Sequence, residues 1–201
     1  LNPLRASIAV DTAFVISVAT VSCSTTPDND APTRSELIIS QATEPRSLEP
    51  MQDLVKTSLS IDATVLKPLI NTSGDFQLVP LLATKWEQTS PTTFVFSLRE
   101  GVSFSNGEPM NADAVVFSLE TQKKALKSAV AGYFAIIDSA KALSPTQVQI
   151  TTKSPSSTVP ALMSLMYVYP PAYYAKVGGD EFGRAPIGTG PYVFDSWHSG
   201  Q

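Results

Sequence analysis

The sequence predicts a mixed α/β (α+β) fold, on three observations. Two segments alternate with the period of a strand: Phe94, Phe96 and Leu98 against Val95, Ser97 and Arg99, and Val148 and Ile150 against Gln147, Gln149 and Thr151. Between them Ala112, Val115, Val116 and Leu119 form one stripe at helical spacing. Strands and helices are intermixed without strict βαβ alternation. The 16 prolines outnumber the 10 glycines, which favours rigid turns and few long helices.

In chain order, Leu37-Ile38-Ile39-Ser40 reads as a short buried strand. Pro45 and Pro50 then enforce an extended, turning path. Apolar residues from Leu54 to Ile70 are helix-like in part, and Pro68 breaks the pattern. Ser73-Gly74-Asp75 is a turn, and Leu78 to Trp86 packs apolar groups around Pro80. After the strand at 94–98, a second strand runs through Val102 and Phe104 to a tight turn at Asn106-Gly107, a pair suited to positive φ. Asn111 is placed to cap a helix running to about Lys127. Pro160 starts another helix, with Ala161, Leu162, Leu165 and Met166 as its apolar face. Tyr192-Val193-Phe194 reads as a final strand after Gly188-Thr189-Gly190-Pro191.

The 201 residues, with formal charge −4 and 43% hydrophobic content, suit one or two globular domains. Mild acidity without a Lys/Arg cluster argues against a nucleic-acid partner. Lys123, Lys124 and Lys127 have helical spacing and read as a solvated face. With one cysteine, Cys23, no intramolecular disulfide forms. With one histidine, His198, no His-rich metal cluster assembles, and neither a metal nor a cofactor is implied.

Residues 13–22 are uncharged and mostly apolar, well short of the ~20 residues of a spanning helix. They fit the apolar region of a secretory signal, with Arg5 as a thin basic region. Thr20-Val21-Ser22-Cys23 resembles a lipobox, although Thr20 stands where an aliphatic residue is usual. This gives a lipoprotein signal over 1–23, with Cys23 as the lipidation site, and a polar, disordered tether over 24–34. A cleaved signal without lipid, or an uncleaved anchor, are the alternatives.

Two stretches carry a family resemblance. One runs from Leu81-Leu82-Ala83-Thr84-Lys85-Trp86 through Phe94-Val95-Phe96-Ser97-Leu98-Arg99-Glu100-Gly101-Val102-Ser103-Phe104-Ser105-Asn106-Gly107-Glu108-Pro109 to Ala112-Asp113-Ala114-Val115-Val116-Phe117-Ser118. The other is Pro186-Ile187-Gly188-Thr189-Gly190-Pro191-Tyr192. Both resemble the family 5 extracytoplasmic solute-binding proteins of ABC transporters, the peptide- and nickel-binding type. Glu44-Pro45 with Leu48-Glu49-Pro50 resembles that family's first turn, with Glu49 where Asp is usual. Ala114 replaces an acidic residue at the third helical position; an acidic side chain there would reach back to the helix start, so about 1 kcal/mol of capping is forgone.

The resemblance covers residues 36–201. It implies a truncated periplasmic-binding-protein-like type II fold: residues 35–56 and 184–201 as segments of lobe I, residues 57–183 as the domain inserted into it, and the second lobe outside this chain. It implies a monomeric binding protein rather than an enzyme, in the periplasm or at the outer face of the membrane through a lipid anchor. Hinge closure around a peptide or related small solute would deliver the cargo to ABC permease subunits. It places Gln52, Asp53, Leu54, Val55 and Lys56 beside the ligand, offering backbone hydrogen bonds.

The remaining chemistry-bearing groups read as structural. Gly178-Gly179 and Gly188-Thr189-Gly190 lack the spacing of a phosphate cradle and read as turns. Tyr167, Tyr169, Tyr173 and Tyr174 beside Pro170-Pro171 read as packing, and Trp86 and Trp197 as core anchors. His198 reads as an ordinary histidine. The alternatives in other classes are a secreted hydrolase, for which no Gly-x-Ser-x-Gly elbow exists, and a ligand-independent envelope interaction module.

Overall fold

The computed structural model describes residues 38–52, 55–125 and 132–198. The signal and tether, Cys23, Asp53, Leu54 and the expected helix end at Lys127 lie outside the described residues. The chain separates into two compact units, 1–39 and 40–201. Of the first, only Ile38 and Ile39 are described; they are exposed and carry no strand, which corrects the expectation of a buried one. A strand needs a hydrogen-bonding partner, and among the described residues none pairs with this run.

The second unit opens with α1 (Lys56–Val65), which ends before Pro68 as the sequence requires. A hairpin follows, β1 (Ile70–Thr72) with β2 (Leu78–Pro80). Its turn is closed by Ser73 N–H donating to the Gln77 carbonyl at 2.9 Å. Next come β3 (Ala83–Ser90) and β4 (Thr93–Leu98), then α2 (Ala112–Lys124). A 3-10 turn at Tyr133–Ile136 leads into β5 (Ile137–Ser144) and β6 (Gln147–Thr152). Two helices complete the order, α3 (Val159–Met163) and α4 (Pro171–Phe182). Pro160 stands in the first turn of α3 as predicted, because a missing N–H costs nothing there.

The strands form an antiparallel sheet in the order β3-β4-β6-β5. Phe94 pairs with Ile150 and Phe96 with Val148, so the two alternating runs put their apolar residues on one face. That face packs under α2, whose Ala112, Ala114, Val115, Ser118 and Leu119 are buried. Asn111 caps α2 as predicted: its side-chain oxygen accepts from the Ala114 N–H at 3.0 Å. Asp113 in the first turn adds negative charge at the positive end of the helix.

The expected strand through Val102 and Phe104 is instead a bridged turn, with one pair, Ser103 with Pro109. Phe104 N–H donates to the Glu108 carbonyl and Met110 N–H to that of Val102. Gly107 takes φ +88° at its tip, as the Asn-Gly pair predicts. The expected final strand at Tyr192–Phe194 is absent. Tyr192 N–H donates to the Thr64 carbonyl at 3.1 Å, and no strand runs alongside among the described residues.

That contact belongs to a seal. Gly190 N–H donates to the Val65 carbonyl at 2.7 Å, so two carbonyls at the C-terminal end of α1 find donors outside the helix. A Cβ at Gly188 would lie 2.1 Å from the Val65 oxygen, and one at Gly190 2.3 Å from the Thr64 oxygen. These glycines are required by close backbone approach, beyond the turn read from the sequence.

Candidate functional site

Three pieces of chain build an open cleft of about 680 Å³: the turn Glu44–Gln52, the end of α4 with Gly183 and Arg184, and Trp197. Its walls carry both signs of charge, Glu44 and Asp180 against Arg46 and Arg184. Trp197 is half-buried at the cleft rather than a core anchor, and its indole N–H donates to Glu44 Oε1 at 3.0 Å. An amphipathic ring with one polar edge suits a wet wall better than a dry core. Trp86 is partly buried against the main core.

The turn is tied to α4 at two points. Leu48 N–H donates to the Gly183 carbonyl at 2.9 Å, and Gln52 Nε2 donates to Asp180 Oδ1 at 3.0 Å. A Cβ at Gly183 would lie 2.3 Å from Ser47 Oγ and 3.1 Å from Glu49 Cβ, so a larger residue there would have to displace the Ser47 hydroxyl. Gly178, at φ +76°, breaks α4 one turn before its end and lets Asp180 face the turn.

Behind the cleft wall sits Glu49, 1% exposed. Its carboxylate accepts from Tyr169 Oη at 2.7 Å and from Met51 N–H at 2.9 Å. Burial pushes its pKa from 4.5 up to about 7; hydrogen bonds from Tyr169 and from the Met51 and Gln52 backbones oppose the rise, and the nearby Asp180 charge adds to it. Tyr169 is driven well above its ordinary value by burial first and by Glu49 second. Burial likewise pushes Tyr174 up, with Glu49 and Asp180 adding to it. Tyr167 goes to about 12, by burial and the charge of Asp62 on α1.

The four tyrosines pack, as read from the sequence. Tyr169 stacks on Tyr174 with centroids 4.8 Å apart and meets Phe182 edge-on at 5.1 Å. Tyr173 donates its hydroxyl to the Ala185 carbonyl at 2.9 Å.

A second tie positions α4 from its other end. The Glu108 carboxylate accepts from the N–H groups of Ala172 at 2.8 Å and Tyr173 at 3.0 Å, capping the helix from a distant turn. Asn106 Nδ2 donates to the same carboxylate at 2.6 Å. The Ser105-Asn106-Gly107-Glu108 motif therefore aims α4, and its far end forms the cleft wall.

Of the residues expected beside a ligand, Gln52 lines this cleft. Val55 flanks α1 as an exposed cap, and Lys56 is its first residue. Asp53 and Leu54 lie outside the described residues, as does Cys23. Asp180, Arg184, Trp197 and Glu108 were not read as site residues. The one signal for them was the Gly178-Gly179 break, read as a turn. His198 is exposed. Among the described residues no group of three or more His, Cys, Asp or Glu side chains could hold a metal ion, and no helix is long and apolar enough to cross a membrane.

Comparison with known proteins places this geometry in context. The model of the bacterial extracellular solute-binding proteins, family 5 Middle, matches residues 77–201. The nickel-binding periplasmic protein of Escherichia coli (strain K12) is 34% identical over 139 residues, which is 64% of this chain and 26% of that protein. The glutathione-binding protein GsiB of the same strain is 26% identical over 167 residues, 81% of this chain and 32% of that one. Among solved structures, NikZ from Campylobacter jejuni in complex with Ni(L-His) superposes with a TM-score of 0.69 at 27% identity, over 79% of this chain and 32% of that one. The chain thus spans between 26% and 32% of the length of these relatives.

Proposed function

The chain belongs to the family 5 bacterial extracellular solute-binding proteins, and from that premise we propose that it is part of the solute-capturing component of an ABC importer, carrying one wall of the solute site. The relatives bind nickel, glutathione and a nickel–histidine complex by their names. The cargo proposed here is a peptide or a related small solute. The observation that carries the reading is the cleft itself: open, lined by carboxylates and guanidinium groups around Trp197, and entered by Gln52 from the segment the family resemblance places beside ligand.

In this reading residues 35–56 and 184–201 belong to lobe I and 57–183 to the domain inserted into it. A solute held between this wall and a facing lobe binds the closed state better than the open one and shifts the population towards closure. No bond is made or broken, so no nucleophile or general base is needed. The backbone of Gln52 to Lys56 runs beside the solute and offers it hydrogen bonds. Cys23 carries the lipid that keeps the protein at the membrane, and the closed form docks on the permease as a monomer.

A thermal-shift screen of the protein together with its facing lobe, against peptides, glutathione, nickel–histidine and oligosaccharides, tests this. A solute that binds only the native state raises the melting point with its concentration. The reading predicts a saturable rise for one solute class. Turnover of ester or peptide substrates, with no solute raising the melting point, would overturn it.

A further inference from the structure

We propose that Gln122 of α2 is a positioning residue for the cleft: with Ser118 it grips the extended segment Tyr167–Tyr169 by its backbone, and through Tyr169 it sets where the Ser47–Gln52 turn stands. The inference rests on reading the cleft as a solute wall, and its first test needs no solute.

The segment is held as a strand is, on both edges. On one edge Val168 N–H donates to the Lys67 carbonyl at 3.2 Å and Leu69 N–H donates to that of Met166 at 3.0 Å, so Tyr167 bridges to Pro68. Backbone polar groups of an extended chain alternate sides, so the Tyr167 carbonyl and the Tyr169 N–H point the other way, towards α2. The mid-helix backbone of α2 already uses its own donors and acceptors. Two side chains one turn apart on the helix meet the segment instead: Gln122 Nε2 donates to the Tyr167 carbonyl at 2.6 Å, and Ser118 Oγ accepts from Tyr169 N–H at 2.8 Å. The Ser118 hydroxyl gives its own hydrogen to the Ala114 carbonyl, which leaves its lone pairs to Tyr169. Both side chains are fully buried.

Packing alone does not explain Gln122. It stands with Ala112, Ala114, Val115 and Leu119 on the buried face of α2, and its Oε1 has no hydrogen-bond partner among the described residues. A methionine would fill similar space without an orphaned acceptor of its own. What the amide adds is direction. Apolar contact between α2 and α4, such as Phe117 edge-on to Tyr174 at 6.0 Å, fixes how close the elements come but not their register. The two hydrogen bonds fix register, one at each end of the segment.

From there the path to the cleft is short. Tyr169 Oη donates to Glu49 Oε1 at 2.7 Å, and the other oxygen of that carboxylate holds Met51 N–H at 2.9 Å. Gln52 N–H donates to the Glu49 carbonyl, and its side chain lines the cleft. On the other side Pro170 and Pro171 follow Tyr169 directly. With φ fixed by their rings, they pass its position to the start of α4. A slip of the segment along α2 therefore moves both walls.

Hydrogen exchange of the full chain without solute reads the turn directly. Gln122→Met exchanges one orphaned acceptor, Oε1, for another, the Tyr167 carbonyl, so the urea midpoint should stay near that of the parent. The Leu48, Met51 and Gln52 amides should nonetheless lose about three- to tenfold protection, the worth of one hydrogen bond, while the Phe96 and Val148 amides of the sheet hold theirs. Ser118→Ala frees the other end of the segment and should loosen the same three amides. In the protein with its facing lobe, Gln122→Met should weaken the solute found by thermal shift by a similar factor. Unaltered protection at the three amides in Gln122→Met, or an equal loss throughout the sheet, would overturn the grip whatever the solute screen returns. An unchanged affinity for that solute would overturn its positioning role. A loosened turn in a protein that no solute stabilises would uphold the grip and count against the solute reading instead.

Discussion

Single side chains carry much of the site's geometry, and Glu108 is the clearest case. Its carboxylate satisfies two N–H groups at the start of α4 from a turn more than sixty residues away in sequence. Glu108→Ala should cost about 1–2 kcal/mol in urea denaturation, the range of a lost helix cap with its charge. Glu108→Gln keeps an acceptor and should cost less. The glycines that meet α1 are a second case. At Gly190 a methyl group would press on the backbone oxygen of Thr64, which cannot move like a flexible side chain. Gly190→Ala should destabilise the chain by about 1–3 kcal/mol, the range for overpacking, seen as a lowered urea midpoint at unchanged slope. The sequence displayed both residues within recognisable motifs. It could not show what they touch, because both partners are remote in the chain.

At the scale of elements, what was legible followed burial. β4, β6 and α2 were readable because each buries a regular apolar face: Phe94, Phe96 and Leu98; Val148 and Ile150; Val115 and Leu119. β3 and β5 escaped because they are the two edges of the sheet. Lys85 and Glu87 on one and Lys141 on the other blunt those edges against further pairing, and they also erase the alternation that announces a strand. α4 escaped because Pro171, three aromatic residues within reach of one another and the Gly178 break hide its period. Conversely, Tyr192-Val193-Phe194 has strand composition without a strand, since composition does not supply a partner. The joint between α2 and the segment before α4 gives a test at this scale. Ser118 Oγ donates to the Ala114 carbonyl at 2.6 Å and accepts the buried Tyr169 N–H. Ser118→Ala leaves that N–H without its partner and should cost about 1–3 kcal/mol by chemical denaturation.

Taken as a whole, the folded unit joins a rigid sheet-and-helix layer to a polar wall. α4 is fixed by Glu108 at one end and by the Glu44–Gln52 turn at the other. The family and the mixed fold were legible because the motifs at 81–118 and 186–192 are long. The cleft was not, because Glu44, Asp180 and Trp197 come from three distant places and meet only in the folded chain. The most direct test of the account follows the two indole N–H signals by NMR while glutathione or a tripeptide is added to millimolar concentration. Trp197 lines the cleft and Trp86 lies against the sheet core, so one reports the site and the other is an internal reference. The account predicts that the Trp197 indole and the Gln52 side-chain amide shift together along one saturation curve while Trp86 stays still. Equal movement of both indoles, or a silent Trp197 beside a solute shown to bind elsewhere on the chain, would contradict it.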